Sequence, residues 1–144
     1  MILYAESSAV LAWLLGEPRA ADAEHALRQS TVVVTSVLTS AECSRAILRG
    51  EGLGAISRDR ALHLLRALGE WHQGCDRLEI GDRVLARASA PFPVEPVRTL
   101  DAIHLASAAL VHAEIGTVTV LSFDDRVRSN AHAMGMHLLP TPGC

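Results

Sequence analysis

The sequence predicts an α/β fold with a parallel sheet. A chain of 144 residues is long enough for one domain with a substantial core; 49% of it is hydrophobic, whereas aromatic residues contribute only 3%. Short β-branched runs alternate with helical stretches, and strands separated by helices favour a parallel sheet over a sandwich or barrel. We therefore expect a single domain over residues 1–144, with a loose tail at 140–144.

The first part of the chain predicts two strands and three helices. "ILYA" at 2–5 is typical of a short buried strand, and Ser7 or Ser8 is suited to cap the apolar helix behind it. A second helix, beginning at Pro18, leads to the β-branched strand "TVVVTS". Residues 36–52 then predict a third helix, which ends at glycines.

The rest of the chain continues the alternation. A helix over 56–72 has leucines at amphipathic spacing, and we expect it to pair with the preceding helix as an arm outside the sheet. The longest and most apolar helix, "RTLDAIHLASAALVHAEIG", is expected to be central. The other predicted elements are a short strand "RLEI", a helix "DRVLARASA", the clear strand "TVTVLSF", a helix "DDRVRSNAHAMG" and an edge strand "MHLL".

Composition excludes several function classes. The net charge of −3 argues against a broadly basic surface for nucleic acid, although a local patch remains compatible with it. All thirteen basic residues are arginine, which rules out a P-loop lysine and a Schiff base. Three scattered cysteines predict no disulfide framework, and neither a signal peptide nor a membrane span is expected. We expect a soluble, cytoplasmic protein.

Acidic residues follow two of the predicted strands. Glu6 comes after "ILYA" and Asp124 after "TVTVLSF", so their carboxylates would leave the same sheet edge if the two strands are parallel neighbours. Parallel α/β folds place ligands at that edge. For Glu6 alone, the simpler interpretation is an acid that complements the helix dipole.

Two further acids lie within apolar helical stripes. Glu42 shares a stripe with Leu38 and Arg45, and Asp101 is flanked by Leu100 and Ile103. Buried carboxylates are costly without a partner. Four converging carboxylates would require a cation, and oxygen ligands suit Mg²⁺ or Mn²⁺, which can activate water against a phosphodiester. Four unrelated structural acids are the alternative.

Four segments of the chain resemble the four acidic blocks of the PIN-domain family, in the same order and at similar spacing. They are "ILYAESSAVLAWLLGEP", "SVLTSAECSRAI", "RTLDAIHLASAA" and "VLSFDDRVRSNAHAMGM". The chain is more narrowly similar to VapC-type toxins of bacterial and archaeal toxin–antitoxin pairs, over nearly its whole length.

This resemblance implies a three-layer α/β/α fold and a Mg²⁺- or Mn²⁺-dependent endoribonuclease. It places Glu6, Glu42, Asp101 and Asp124 at the four acidic positions, with Ser8 as the hydroxyl beside the first. Glu6, Asp101 and Asp124 would bind metal, whereas Glu42 would orient water or metal. The resemblance also implies a homodimer, an RNA substrate and an antitoxin whose basic segment enters the pocket. Glu6 stands where the family pattern has aspartate.

Several neighbouring residues have simpler interpretations. Asp125 is expected as a solvated acid of the first helical turn, with an outer-shell role as the alternative. His104 is expected to be a packed, hydrogen-bonded histidine and Cys43 a core residue. Salt bridges or solvation are at least as plausible as RNA contact for three arginines: Arg45, Arg49 and Arg98. Three residues of the helix at 56–72 are expected to line a groove facing a subunit or antitoxin: Leu65, Leu68 and Trp71.

Two other function classes remain open. The first is a catalytically weakened PIN module that acts mainly by partner binding, which Glu6 in place of aspartate suggests. The second is a flavodoxin-like receiver domain, which also gathers acids at strand ends, although the absence of lysine counts against it.

Overall fold

A computed structural model describes residues 1–142 of the chain. Along these residues the elements are β1 (Ile2–Ala5), α1 (Ser7–Leu15), α2 (Ala20–Gln29), β2 (Val32–Ser36), α3 (Val37–Gly52), α4 (Arg58–Gln73), β3 (Asp76–Leu78), α5 (Asp82–Ala88), α6 (Thr99–Ile115), β4 (Thr119–Leu121), α7 (Asp125–Ala133) and β5 (His137–Leu139). The predicted alternation of strands and helices is confirmed.

The five strands form one parallel sheet in the order β3-β2-β1-β4-β5. Strand β1 is central because it pairs with both β2 and β4. The carboxyl ends of these three strands therefore meet at one edge of the sheet. Helices cover both faces, which confirms the three-layer α/β/α fold.

Alternation along β1 divides the core between the two faces. Tyr4 packs with Leu105 of α6 and Val127 of α7 on one face, whereas Leu3 and Ala5 pack on the other with α1 to α4. Successive side chains of a strand point to opposite faces, so β1 anchors both layers at once. This fixes the residue after the strand, Glu6, between the layers.

Two expectations about the helices are wrong in detail. Helix α2 begins at Ala20, two residues after Pro18, because Ala20 first closes a turn onto the Glu17 carbonyl at 2.8 Å. The α3–α4 pair is part of a helical layer, since Ile47 of α3 and Leu68 of α4 share a buried cluster with Ala5 of the central strand. It is therefore no arm outside the sheet.

Two further points concern membrane spans and the tail of the chain. Over residues 1–142, no helix combines the length and hydropathy that crossing a membrane would require. Of the predicted loose tail, residues 143 and 144 lie outside the described part of the chain.

Candidate active site

Glu6 is a buried carboxylate held by three donors. It is the N-cap of α1, and its Oε1 accepts a hydrogen bond from the Ser8 backbone N–H at 3.0 Å. Its Oε2 accepts from the hydroxyls of Ser8 and Ser122, the latter at 2.7 Å. With only 4% of its surface exposed, Glu6 depends on these donors in place of water. Glu6, and not the predicted Ser7 or Ser8, is therefore the N-cap of α1, and it also lies at the sheet edge.

Ser122 joins Glu6 to the fourth predicted acid. Its hydroxyl accepts a hydrogen bond from the Asp124 backbone N–H at 3.1 Å while it donates to Glu6. Asp124 caps α7: its Oδ1 accepts from the backbone N–H groups of Arg126 and Val127 at 2.9 and 3.0 Å. Strands β1 and β4 are parallel neighbours, as the sequence interpretation required. The ends of these strands thus form one polar network.

Glu42 reaches the site from α3 and is held by two donors on one oxygen. Its Oε1 accepts from the Ser7 hydroxyl at 2.6 Å and from His104 Nε2 at 2.5 Å. Nδ1 of the same ring lies 2.9 Å from the Tyr4 hydroxyl. Burial acts to raise the pKa of Glu42, but the hydrogen bond and electrostatic attraction of His104, together with the Ser7 hydrogen bond, lower it below its ordinary value.

Asp101 has no hydrogen bond to the other three acids or to His104. It is in the first turn of α6, one turn before His104, and its Oδ2 accepts a hydrogen bond from Arg98 Nε at 3.4 Å. The side chain is 16% exposed. Arg98 therefore forms a salt bridge with Asp101, which was the alternative to an RNA contact.

One cleft brings two of the four acids together. Glu6 and Glu42 line a cavity of about 240 Å³, whose other walls are Ser7, Ser8, Leu11 and Cys43. Asp101 and Asp124 are absent from this lining. Within residues 1–142, no three acidic, histidine or cysteine side chains are close enough together to hold a metal ion as they stand.

The donor chemistry nevertheless fits a hard divalent cation. All four acids offer oxygen ligands, and three of them keep a carboxylate oxygen with no hydrogen-bond partner among the described residues: Glu42 Oε2, Asp101 Oδ1 and Asp124 Oδ2. Mg²⁺ keeps several waters and needs few protein ligands. The residues present therefore fit Mg²⁺ or Mn²⁺ by the type of donor atom that they offer.

The family model of the PIN domain matches residues 3–133. The chain belongs to the PIN domain family. Ribonuclease VapC46 of Mycobacterium tuberculosis is 34% identical to it over 138 residues, which is 95% of each chain. Ribonuclease VapC35 of the same species is 34% identical over 76% of this chain and 73% of its own length. The resemblance to VapC-type proteins is thereby confirmed.

A solved structure supports the same fold. The PIN domain superposes on the crystal structure of Mycobacterium tuberculosis VapC20, described as a sarcin–ricin loop cleaving toxin, with a TM-score of 0.65. The two chains are 16% identical, and the match covers 88% of this chain and 93% of that one. At this identity the likeness concerns the fold.

Sequence reasoning missed three residues of the network in this PIN domain. Tyr4, Ser7 and Ser122 are all buried and bond the acids or His104. A signal was available for Ser122, because a small polar residue between a buried strand and an acid is placed at the sheet edge. His104 and Cys43 are buried, as expected.

The other residues singled out in the sequence lie in the surroundings of the site, in a groove or in the core. Asp125 is exposed, in keeping with a solvated first-turn acid. Arg45 and Arg49 border a wider cleft of about 920 Å³ that Glu42 also lines. Trp71 lines a groove of about 420 Å³ with Trp13 and Leu27, but Leu68 is a core residue, so its predicted place in a groove is wrong.

Proposed function

We propose that this PIN domain is an endoribonuclease, the toxin of a toxin–antitoxin pair, which hydrolyses RNA phosphodiesters with the help of Mg²⁺ or Mn²⁺. The observation that carries the proposal is the shared cleft of Glu6 and Glu42 at the carboxyl edge of the sheet. Relatives that are named ribonucleases over nearly the full chain length support it.

The four acids divide two tasks in the proposed reaction. Glu6, Asp101 and Asp124 would hold the cation, which when bound neutralises phosphate charge and lowers the pKa of water. Glu42, fixed through Oε1 by His104 and Ser7, presents Oε2 as an acceptor that orients the attacking water. Ser8 supports Glu6 through its hydroxyl, and Asp125 would act only at the periphery.

Cleavage assays in the presence and absence of metal test this function. The purified protein should cut RNA with Mg²⁺ or Mn²⁺ and leave 5′-phosphate ends, and Asp101→Asn should remove the activity. Equal cleavage in excess EDTA would contradict the metal-dependent mechanism.

A weakened PIN module that acts mainly by partner binding is the second candidate. It is favoured by Glu6, whose two carboxylate oxygens are already bound by serine donors. Calorimetric titration with Mn²⁺ separates the two candidates, because the weakened module should bind the ion poorly and show no cleavage at saturating metal.

The proposed partners are a second copy of the chain and an antitoxin. Leu62 and Leu53 are exposed to 55% and 75%, which is consistent with apolar surface available for association. A basic antitoxin segment would complement the Glu6–Glu42 cleft electrostatically. Light scattering at micromolar concentration should give the mass of a dimer, and a monomeric mass would rule the dimer out.

A further inference from the structure

A second cleft adjoins the one between Glu6 and Glu42. It has a volume of about 530 Å³ and is lined by Ser8, Leu11, Glu17, Pro18, Arg19 and Phe123. Ser8 and Leu11 line both clefts. The two clefts are therefore neighbours, and we call this second space the Arg19 cleft.

Arg19 is held in this cleft by an aromatic ring, and its donors are unused. Its guanidinium carbon lies 4.1 Å from the centroid of the Phe123 ring. Phe123 is itself fixed, because it packs on the cluster around Leu3 and Leu121 and its backbone N–H donates to Ser8 Oγ at 2.9 Å. Within residues 1–142, the Arg19 side chain takes part in no hydrogen bond or ion pair. Stacking orients the guanidinium plane while leaving its N–H groups free for a ligand.

The cleft lining contains one cation, Arg19, that can meet a phosphate, and one anion, Glu17. A second guanidinium, Arg128, is near enough that the positive charge of Arg19, after the larger effect of burial, lowers the pKa of Arg128. Arg128 is engaged with backbone carbonyls of Ser122 and Leu139, which leaves Arg19 as the group available for binding. Glu17 is the one acid in the lining and offers an acceptor for a base amino group or a 2′-hydroxyl.

We propose that the Arg19 cleft is the subsite for the nucleotide next to the scissile bond, with the Arg19 guanidinium on its phosphate and Leu11 and Pro18 against its ribose and base. Phe123 acts as a positioning residue for Arg19. This inference rests on the proposed ribonuclease function, which supplies RNA as the polymer. It adds a substrate contact outside the four acids.

Binding in EDTA tests the subsite without requiring catalysis. A fluorescein-labelled single-stranded RNA oligonucleotide is titrated by anisotropy against wild type, Arg19→Ala, Arg19→Lys and Arg77→Ala. Arg77 is an exposed arginine on β3 outside both clefts and is the charge-matched control. We expect Arg19→Ala to raise Kd about tenfold and to reduce the slope of log K against log salt by about 0.7, the loss of one phosphate contact. Arg19→Lys should recover part of the affinity, and Arg77→Ala should leave Kd within about twofold of wild type.

Neutral methylphosphonate groups, placed one at a time along the RNA, locate the contact. One position should weaken wild-type binding and leave Arg19→Ala unaffected. Phe123→Leu should weaken binding in wild type but add nothing to Arg19→Ala, because the two residues act together. Circular dichroism melts of the variants establish that each is folded.

The outcomes separate the subsite from the proposed function. If wild type binds RNA through Arg19 but never cleaves it, the ribonuclease function fails; the Arg19 phosphate contact stands, but its place beside a scissile bond is wrong. If wild type cleaves RNA and Arg19→Ala matches Arg77→Ala in Kd and salt slope, the subsite is wrong. It is also wrong if a poly(glutamic acid) peptide binds as tightly as RNA and loses the same factor with Arg19→Ala, because the cleft would then accept acidic chains in general.

Discussion

The Glu42 carboxylate accepts a 2.5 Å hydrogen bond from His104 Nε2, although the two residues are 62 positions apart in the chain. Because the pKa of Glu42 is lowered, its carboxylate is ionised near neutral pH and Nε2 must carry the hydrogen. Tyr4 contacts the opposite ring nitrogen at 2.9 Å. The ring is thus held from both sides and fixes Glu42 Oε1, which leaves Oε2 as the carboxylate oxygen without a hydrogen-bond partner among the described residues.

Replacing His104 by leucine should lower RNA cleavage, mainly in kcat. Leucine fills much of the space but cannot donate to Glu42, so the carboxylate loses one of its two fixed donors. Loss of a donor that orients a site carboxylate costs about 10- to 100-fold in activity. His104→Gln should retain activity to within about fivefold, because its side-chain amide can reach Glu42. Steady-state cleavage kinetics of the three proteins measure the effect.

A matched control for this substitution is His72→Leu. His72 is also buried, but its Nε2 lies 3.4 Å from the Ser36 carbonyl oxygen and it forms no hydrogen bond with any of the four acids. The His72→Leu variant should have a lower free energy of unfolding but no comparable loss of kcat per folded molecule. Equal losses of kcat in His72→Leu and His104→Leu would mean that His104 acts only through stability.

The acids at the sheet edge could be predicted from the sequence, because their placement depends on local patterns. Short apolar runs located β1 and β4, and the acid after each strand could be assigned to one edge once the strands were taken as parallel. The bonds from Ser7 and Ser122 could not be predicted in this way. They depend on side-chain direction and on contacts between residues up to 116 positions apart, which periodicity does not encode. The prediction that α3 and α4 form an arm outside the sheet failed for the same reason.

The lowered pKa of Glu42 predicts a stability difference that disappears in acid. A group whose pKa is lower in the folded state stabilises the fold above its unfolded pKa, and the contribution is lost as pH falls through the folded value. Wild type should therefore be more stable than Glu42→Gln at neutral pH, with the gap closing below about pH 4.5, the ordinary glutamate value. Urea unfolding across this range measures it. Glu70→Gln, at an exposed glutamate, should differ less from wild type in free energy of unfolding at neutral pH.

Two cysteines should resist alkylation in the folded protein. Burial, then the charges of Glu42 and Glu6, raise the pKa of Cys43 to about 12, and burial followed by the charge of Asp76 raises that of Cys75 to about 11. Only the thiolate reacts, so at pH 8 the reactive fraction is on the order of one in a thousand or less. Iodoacetamide treatment and peptide mass spectrometry should find both unmodified natively and modified in guanidinium chloride. Native modification of Cys43 at the denatured rate would show that the cleft opens to solvent.

Glu6→Asp should tighten metal binding and raise cleavage. The extra methylene of glutamate moves its carboxylate about 1.5 Å, one carbon–carbon bond, and lets both oxygens bond Ser8 and Ser122. A cation must compete with those donors. Aspartate can still cap α1 through one oxygen while the other becomes free, and octahedral Mg²⁺ tolerates little misplacement of its ligands. We expect roughly tenfold faster cleavage, a change of about 1.4 kcal/mol in the barrier.

Asp101→Asn should have the opposite effect on Mg²⁺ binding and on cleavage. It keeps the shape of the side chain but removes a charge, so both Mg²⁺ binding and cleavage should be abolished if Asp101 closes on the ion. Calorimetric Mg²⁺ titrations and initial cleavage rates of wild type, Glu6→Asp and Asp101→Asn would be compared directly. If Glu6→Asp leaves affinity and rate unchanged or lower, the pocket is already fitted to glutamate. The three donor groups that Ser8 and Ser122 provide to Glu6 would then be a feature of the working site, because they hold the longer side chain where the cation requires it.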